Sequence, residues 1–222
     1  LQEQDGMNYD NWDEWQLREE ICRVGQRLYD LFFVAGNDGN ISIRLSDDEI
    51  LITPTGISKG YMKPEDMLKI GADGHIISKT KQNLAPSSEH RMHLVIYRHR
   101  PDVRGVVHAH PPTATGFAVA GKGLDKPFLP EVVVRTGPTP VVPYTIPGGD
   151  ELPASLIPFL DGHDALLMGN HGVVAYGKTA REALFNLETV ELNARIYLTA
   201  YQLGNVNYLD ERDVEALKSR YF

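Results

Sequence analysis

The sequence predicts an α/β fold, a three-layer α/β/α sandwich with a mainly antiparallel central sheet. Two observations carry that prediction. Helical periodicity marks both ends of the chain, and the stretch between them is dense in hairpin signals. Sequential hairpins pair antiparallel, which is not the strand–helix alternation of a doubly wound parallel sheet. At 222 residues the chain is large enough to bury a substantial core as one domain. It shows no fixed-period repeat, low-complexity tract or long linker on which a boundary would sit. Residues 1–10 read as a polar, flexible tail, and 11–222 as a single domain ending in a helical tail.

The first helix is expected from Asp13 to Val34, with Trp15, Ile21, Cys22, Leu28, Tyr29, Phe32 and Phe33 near one face. Asn37-Asp38-Gly39-Asn40 is turn chemistry. Ile41, Ile43 and Leu45 then alternate with Ser42, Arg44 and Ser46 as a strand, and 50–53 return as its hairpin partner. A short helix at 64–68 and a hairpin around Ala72-Asp73-Gly74 follow. A second helix, 87–99, places Met92, Val95, Ile96 and His99 at helical spacing before Pro101 ends it. Val103 to His110 reads as a buried strand and 111–120 as a small-residue helix. Strands are expected at Val132–Val134 and 140–144, a helix at 150–160 and a strand–turn–strand at 165–176. A last long helix covers 179–203.

Composition excludes several classes of function. Lys plus Arg number 22 against 30 Asp plus Glu, a net charge of −8, which disfavours a nucleic-acid backbone binder but permits a local phosphate site. The lone Cys22 excludes an intrachain disulfide framework and fits a reducing, cytoplasmic setting. No apolar run approaches the roughly 20 residues that span a bilayer, so no membrane partner is expected.

Two histidines stand in Val106-Val107-His108-Ala109-His110. Residues two apart on a strand share a face, so both imidazoles can meet one cation while Val107 and Ala109 pack behind. His171, in a Gly-Asn-His-Gly turn between apolar strands, is a third candidate. Three neutral imidazoles with an open position describe a catalytic zinc or similar divalent site; a hydrogen-bonded core pair is the alternative. His75, His90, His93, His99 and His163 carry no comparable signal. Pro86-Ser87-Ser88-Glu89 opens the second helix. Its serines serve either as caps or as part of an anion cradle beside Glu89, and Gly39-Asn40 and Thr55-Gly56 offer similar donor density.

Taken together, Gly36-Asn37-Asp38-Gly39-Asn40-Ile41-Ser42, Ile52-Thr53-Pro54-Thr55-Gly56, Pro86-Ser87-Ser88-Glu89, Val106–His110 and Asn170-His171-Gly172 strongly resemble the class II aldolase/adducin family. Within it they are most similar to the fuculose-phosphate aldolase type. The resemblance implies Zn2+, or another divalent metal, held by His108, His110 and His171 with Glu89 as fourth ligand. It implies a substrate-phosphate pocket of Asn40, Thr55, Gly56, Ser87 and Ser88, and a C4 homotetramer with active sites between subunits. The implied reaction is reversible cleavage of a ketose 1-phosphate to dihydroxyacetone phosphate and an aldehyde, through a metal-stabilised enediolate with Glu89 as general base or acid.

The chain departs from that pattern in one respect. Fuculose-type enzymes bring a tyrosine from the neighbouring subunit to the aldehyde oxygen, whereas the matching segment here reads Phe128-Leu129-Pro130-Glu131-Val132. Glu131, or Tyr208 in the tail, is the candidate replacement. Same-scaffold alternatives are a pentulose-phosphate 4-epimerase, which usually shows aspartate at the Glu89 position, and a methylthioribulose-phosphate dehydratase. A non-catalytic adducin-like interaction domain is the alternative from another class, and the complete histidine set argues against it.

Overall fold

The computed structural model describes residues 9–78, 80 and 82–221. Residues 1–8 of the predicted tail lie outside the described residues, while Tyr9–Asn11 form a short 3-10 turn with Tyr9 buried. Helix α1 (Glu14–Asp30) opens on a capping box in which Asp13 and Gln16 exchange side-chain and backbone hydrogen bonds. Its buried stripe is Leu17, Ile21, Val24 and Leu28. Trp15 precedes Leu17 by two positions, about 200° around the helix, and is 52% exposed rather than part of the stripe. The helix also stops earlier than the periodicity suggests. Phe32 adopts a left-handed φ of 58° and points to solvent, and Phe33 and Val34 are buried beyond the helix end.

The described residues form one mixed eight-stranded sheet. Its strands are β1 (Asn40–Arg44), β2 (Glu49–Ile52), β3 (Leu68–Gly71), β4 (Ile76–Ser78), β5 (Gly105–Ala109), β6 (Val141–Val142), β7 (Ala165–Met168) and β8 (Gly172–Gly177). They run in the order β4-β3-β2-β1-β5-β8-β7-β6, antiparallel except for β6 beside β7. The remaining helices are α2 (His90–His99), α3 (Pro112–Val119), α4 (Glu151–Leu156), α5 (Ala180–Gln202) and α6 (Glu211–Tyr221). The strand expected at Val132–Val134 is instead a π-helical turn, Val132–Thr136. The valine run imitates a strand. Yet the buried pair, Val132 and Thr136, is four residues apart, which is helical spacing.

Strand alternation sorts the core into two apolar clusters. Ile41, Ile43, Leu51, Val107, Ala109, Leu167, Val173 and Ala175 pack with residues of α1, α3 and α5. Ile50, Ile52, Val106, Leu166, Met168, Val174 and Tyr176 pack with α2 and α4. Each fully buried aliphatic side chain contributes on the order of 1.5–3 kcal/mol. Close approach of α5 to β5 is permitted by Gly105, where an added methyl would collide with the backbone of Thr179 and Ala180. Because that obstacle is backbone, Gly105→Ala should cost about 1–3 kcal/mol or more, seen as a lowered denaturant midpoint. An unchanged midpoint would mean that α5 is not seated on β5 in this way.

Candidate metal and active site

The site forms where β1, β5 and β8 lie side by side. Asn40 of β1 is registered against His108 of β5, and His108 against Val174 of β8. Val107 and Ala109 face the α1/α5 side, as expected, so His108 is turned to the other face and is fully buried. His110 lies just past the end of β5, where its amide donates to the Phe33 carbonyl at 2.8 Å. The chain after it is fixed by a buried carboxylate. Glu191 accepts from the amides of Thr113 (3.2 Å) and Ala114 (2.8 Å) at the start of α3 and from Arg195 Nε at 2.6 Å. His171 comes from the β7–β8 turn, where its amide donates to the Met168 carbonyl and Asn170 takes a φ of 54°. Gly172 is required beside it, because an added methyl would lie 2.5 Å from the His110 ring and 2.7 Å from the Ala109 carbonyl oxygen.

These elements bring one nitrogen from each of His108, His110 and His171 within 4.8 Å of one another. Glu89, the N-terminal boundary residue of α2, completes the group. Its Oε2 is 3.3 Å from His108 Nε2, and its Oε1 is 3.1 Å from His171 Nε2. The residues fit a divalent cation. His108 Nδ1 donates to the Val173 carbonyl at 2.8 Å, which leaves the Nε2 lone pair facing Glu89 and His110 Nε2, the latter 3.2 Å away. A lone pair and a carboxylate facing each other repel unless a proton or a cation lies between them. Glu89 Oε1 and His171 Nδ1 are both buried without a hydrogen-bond partner. Three nitrogens and an oxygen so arranged suit zinc or a similar ion.

Electrostatics favour the ligand forms. Burial drives the His108 imidazolium pKa down to about 3, opposed by the charge of Glu89 and assisted by the other two histidines. Burial, then His171, also lowers His110. Burial alone would raise the Glu89 carboxyl. The neighbouring His108 and His171 rings and the Asn40 amide together hold it below the usual carboxylate range.

A cavity of about 220 Å³ opens beside this group, lined by Asn37 to Asn40, Pro54, Thr55 and Ser87 to Glu89, with His110 and His171. Backbone pairing draws two expected phosphate turns together. Pro54 bridges Pro86, and the Thr55 amide donates to the Ala85 carbonyl at 3.0 Å. Thr55 and Ser88 are exposed, Ser87 is buried, and Gly56 sits next to Thr55 with a φ of 79°. Ser87 and Ser88 precede α2 rather than belonging to it. Behind the loop, Lys59 is buried and donates to the carbonyls of Asn37 (3.0 Å) and Ile57 (2.8 Å). Burial pulls its ammonium pKa down to about 8.

Glu131 and Tyr208 do not line this cavity. Glu131 precedes the π-helical turn, and the Tyr208 hydroxyl lies 2.9 Å from that of Tyr197. The sequence reading missed two residues. Asp38, inside a quoted turn, sits 3.6 Å from His110 Nδ1. His93, set aside as uninformative, is fully buried one helical turn from Glu89, and that spacing was the available signal.

A carboxylate and three imidazoles beside a donor-rich cavity, on this sheet, define a class of protein. The chain belongs to the class II aldolase and adducin family: residues 19–198 match the family described as "Class II Aldolase and Adducin N-terminal domain". It is an enzyme of that family, of the aldolase and decarboxylase kind. Among its relatives, the 3-oxo-tetronate 4-phosphate decarboxylase of Escherichia coli strain K12 is 35% identical, with 93% of this chain and 97% of that protein covered. An L-fuculose phosphate aldolase of Methanococcus maripaludis is 36% identical over 80% of this chain and 92% of its own length. A solved L-fuculose 1-phosphate aldolase superimposes with a TM-score of 0.85 at 27% identity, covering 93% of this chain and 96% of that one. Among the described residues no helix is long and apolar enough to cross a membrane.

Proposed function

We propose that the protein is a divalent-metal-dependent lyase that decarboxylates a phosphorylated 3-oxo sugar acid of the 3-oxo-tetronate 4-phosphate type. The observation that carries this reading is the near-complete match to the decarboxylase, joined to a site holding a metal donor set with Glu89 beside it. In such a substrate the carbon next to the carboxylate also adjoins a ketone. When carbon dioxide leaves, the bonding pair stays on that carbon and spreads onto the ketone oxygen as an enediolate. A proton delivered to the carbon then gives dihydroxyacetone phosphate. Loss of an aldehyde from a ketose 1-phosphate would leave the same enediolate, so one site can serve either reaction.

The difference lies in the leaving group. An aldehyde leaves only when its hydroxyl loses a proton and therefore needs a second acid–base group, whereas carbon dioxide leaves from a carboxylate that is already ionised. The cavity offers Glu89 and, on the His110 side, Asp38, but no phenol of this chain, and the Tyr208 hydroxyl is engaged with Tyr197. Only the aldolase reading asks Tyr208 or Glu131 to act.

Bound by His108, His110, His171 and Glu89, a divalent cation supplies positive charge beside the substrate oxygens where negative charge develops. Glu89 moves the proton to and from the enediolate carbon. Thr55, Gly56, Ser87 and Ser88 hold the phosphate away from the breaking bond and fix the orientation of the reacting carbon. Asn40 is read as turning one amide hydrogen toward Glu89 rather than toward phosphate, because its Nδ2 donates to Glu89 Oε2 at 2.8 Å.

The proposal keeps several features suggested by the resemblance. Zinc is the metal, and residues 11–222 work as one domain, whose core also takes in Tyr9 rather than leaving it in a free tail. The chain acts in the cytoplasm as a C4 homotetramer with sites between subunits. The two apolar clusters support reading the helices and sheet as three layers.

The second reading, a fuculose-type aldolase, is favoured by the relatives of that name. Incubation with 3-oxo-tetronate 4-phosphate should release carbon dioxide and dihydroxyacetone phosphate, with fuculose 1-phosphate cleaved far more slowly. Aldehyde formation from the ketose phosphate without carbon dioxide from the acid would reverse the assignment. Ser88→Ala should weaken binding of phosphorylated ligands roughly tenfold, as expected for one lost hydrogen bond to a charged group. Binding of the unphosphorylated analogue should change little, and equal losses would remove Ser88 from the phosphate site.

A further inference from the structure

A continuous buried chain of hydrogen bonds reaches Glu89 from the interior. Asn40 and Ser42 are two apart on β1 and so share a face, and both meet His93 of α2. His93 Nε2 lies 2.5 Å from Asn40 Oδ1, and His93 Nδ1 lies 2.6 Å from Ser42 Oγ. Ser42 Oγ is in turn 2.7 Å from the Tyr97 hydroxyl. At the other end, Asn40 Nδ2 donates to Glu89 Oε2 at 2.8 Å. Asn40, Ser42, His93 and Tyr97 are all buried.

The chemistry of these groups fixes the direction of every hydrogen. A carboxylate only accepts, so the Asn40 amide nitrogen must face Glu89 and the Asn40 carbonyl oxygen must face His93. That oxygen also only accepts, so His93 Nε2 carries its hydrogen. Burial keeps the ring neutral, with its pKa pulled down to about 3. Nδ1 is therefore an acceptor that takes the Ser42 hydroxyl proton, and Ser42 accepts from Tyr97. With the opposite His93 tautomer, the ring would present a lone pair to the Asn40 carbonyl. Rotating the amide to relieve that contact would set its oxygen against Glu89.

We propose that His93 is a positioning residue: its Nε2–H locks the Asn40 amide so that it donates to Glu89 Oε2, leaving Oε1 as the oxygen free to exchange a proton with substrate. Oε1 is buried and makes no well-formed hydrogen bond; its nearest polar neighbour is the candidate ligand atom His171 Nε2, 3.1 Å away. The assignment rests on Glu89 being the proton carrier, as proposed above.

Two measurements test it. The first is nitrogen NMR of labelled histidines in the chelated protein. It should show His93 as a neutral ring with hydrogen on Nε2 at neutral pH; a ring protonated on Nδ1 overturns the proposal whatever the protein's substrate. The second is exchange of the hydroxymethyl proton of dihydroxyacetone phosphate with solvent, a half-reaction common to the decarboxylase and aldolase readings. His93→Leu should lower its kcat about 10- to 100-fold and leave KM nearly unchanged. His93→Gln, whose side-chain amide can donate in place of Nε2–H, should recover most of the rate. In an Asn40→Leu background, His93→Leu should cause no further loss. An unchanged rate in His93→Leu, or an additive loss in the double variant, overturns the proposal. Failure of the parent protein to exchange the proton strikes the lyase reading instead, and the NMR result still decides the His93 assignment.

Discussion

The Glu89→Gln variant is expected to bind metal close to the parental level and to slow solvent exchange of dihydroxyacetone phosphate by about 10²–10⁴-fold, the usual contribution of a positioned general acid or base. Glutamine keeps the length of the side chain and an oxygen to accept from the Asn40 amide, and the three imidazoles are unaltered. What it loses is the ability to carry a proton. The lost charge also removes the favourable partner of His108 and His171, so a modest fall in metal affinity should accompany the loss of exchange. The two effects separate when exchange is measured at saturating metal. Exchange at the parental rate under that condition would mean that another group moves the proton.

The second large effect is expected at His108, the most deeply buried of the three histidines. His108→Ala deletes a ligand, opens a cavity in the middle of the sheet and leaves the Val173 carbonyl without its 2.8 Å donor. Loss of metal and turnover should come with about 3–5 kcal/mol of destabilisation, taking truncation of a buried ring as the guide. His108→Asn separates these consequences, because its amide can still donate to Val173 while no atom reaches the Nε2 position. It should lose metal as completely as His108→Ala but retain more stability. Elemental analysis and denaturant unfolding measure the two quantities, and stoichiometric metal in His108→Asn would remove His108 from the donor set. Chelation of the parent protein should reproduce the loss of turnover, with recovery on adding a divalent metal.

Much of the fold was legible because the signals were local. Alternation at 41–45 and the hairpin partner that follows it, the turn at 72–74, and the small-residue run after Pro112 each correspond to an observed element. The histidine pair was legible because strand geometry places residues two apart on one face. Where local pattern misled, a tertiary contact decided the outcome. Trp15 and Phe32 looked like core residues, but the docking face of α1 is set by Leu17 and Ile21. The valines at 132–134 looked like a strand, but the chain there coils into a turn beside α5 and α6. His93 was passed over because the apolar spacing of Met92, Val95, Ile96 and His99 suggested a face that turns out to include exposed His99 and to omit Leu94 and Tyr97. A polar residue in the core is invisible to a pattern that counts only hydrophobes. The proposed exchange of leaving group from aldehyde to carbon dioxide was likewise not among the sequence readings, since it alters no ligand.

The strand order has a consequence for how the protein matures. Its donor atoms come from positions 89 to 171, and the last of them arrives only when β8 has inserted between β5 and β7. A nascent chain still lacking that last hairpin has no complete pocket to offer an ion, so the cation can reward only the finished sheet. At a hundredfold excess over its dissociation constant it would do so by about 2.7 kcal/mol. With metal bound as proposed, cellular metal supply would set how long the enzyme survives as well as how fast it works.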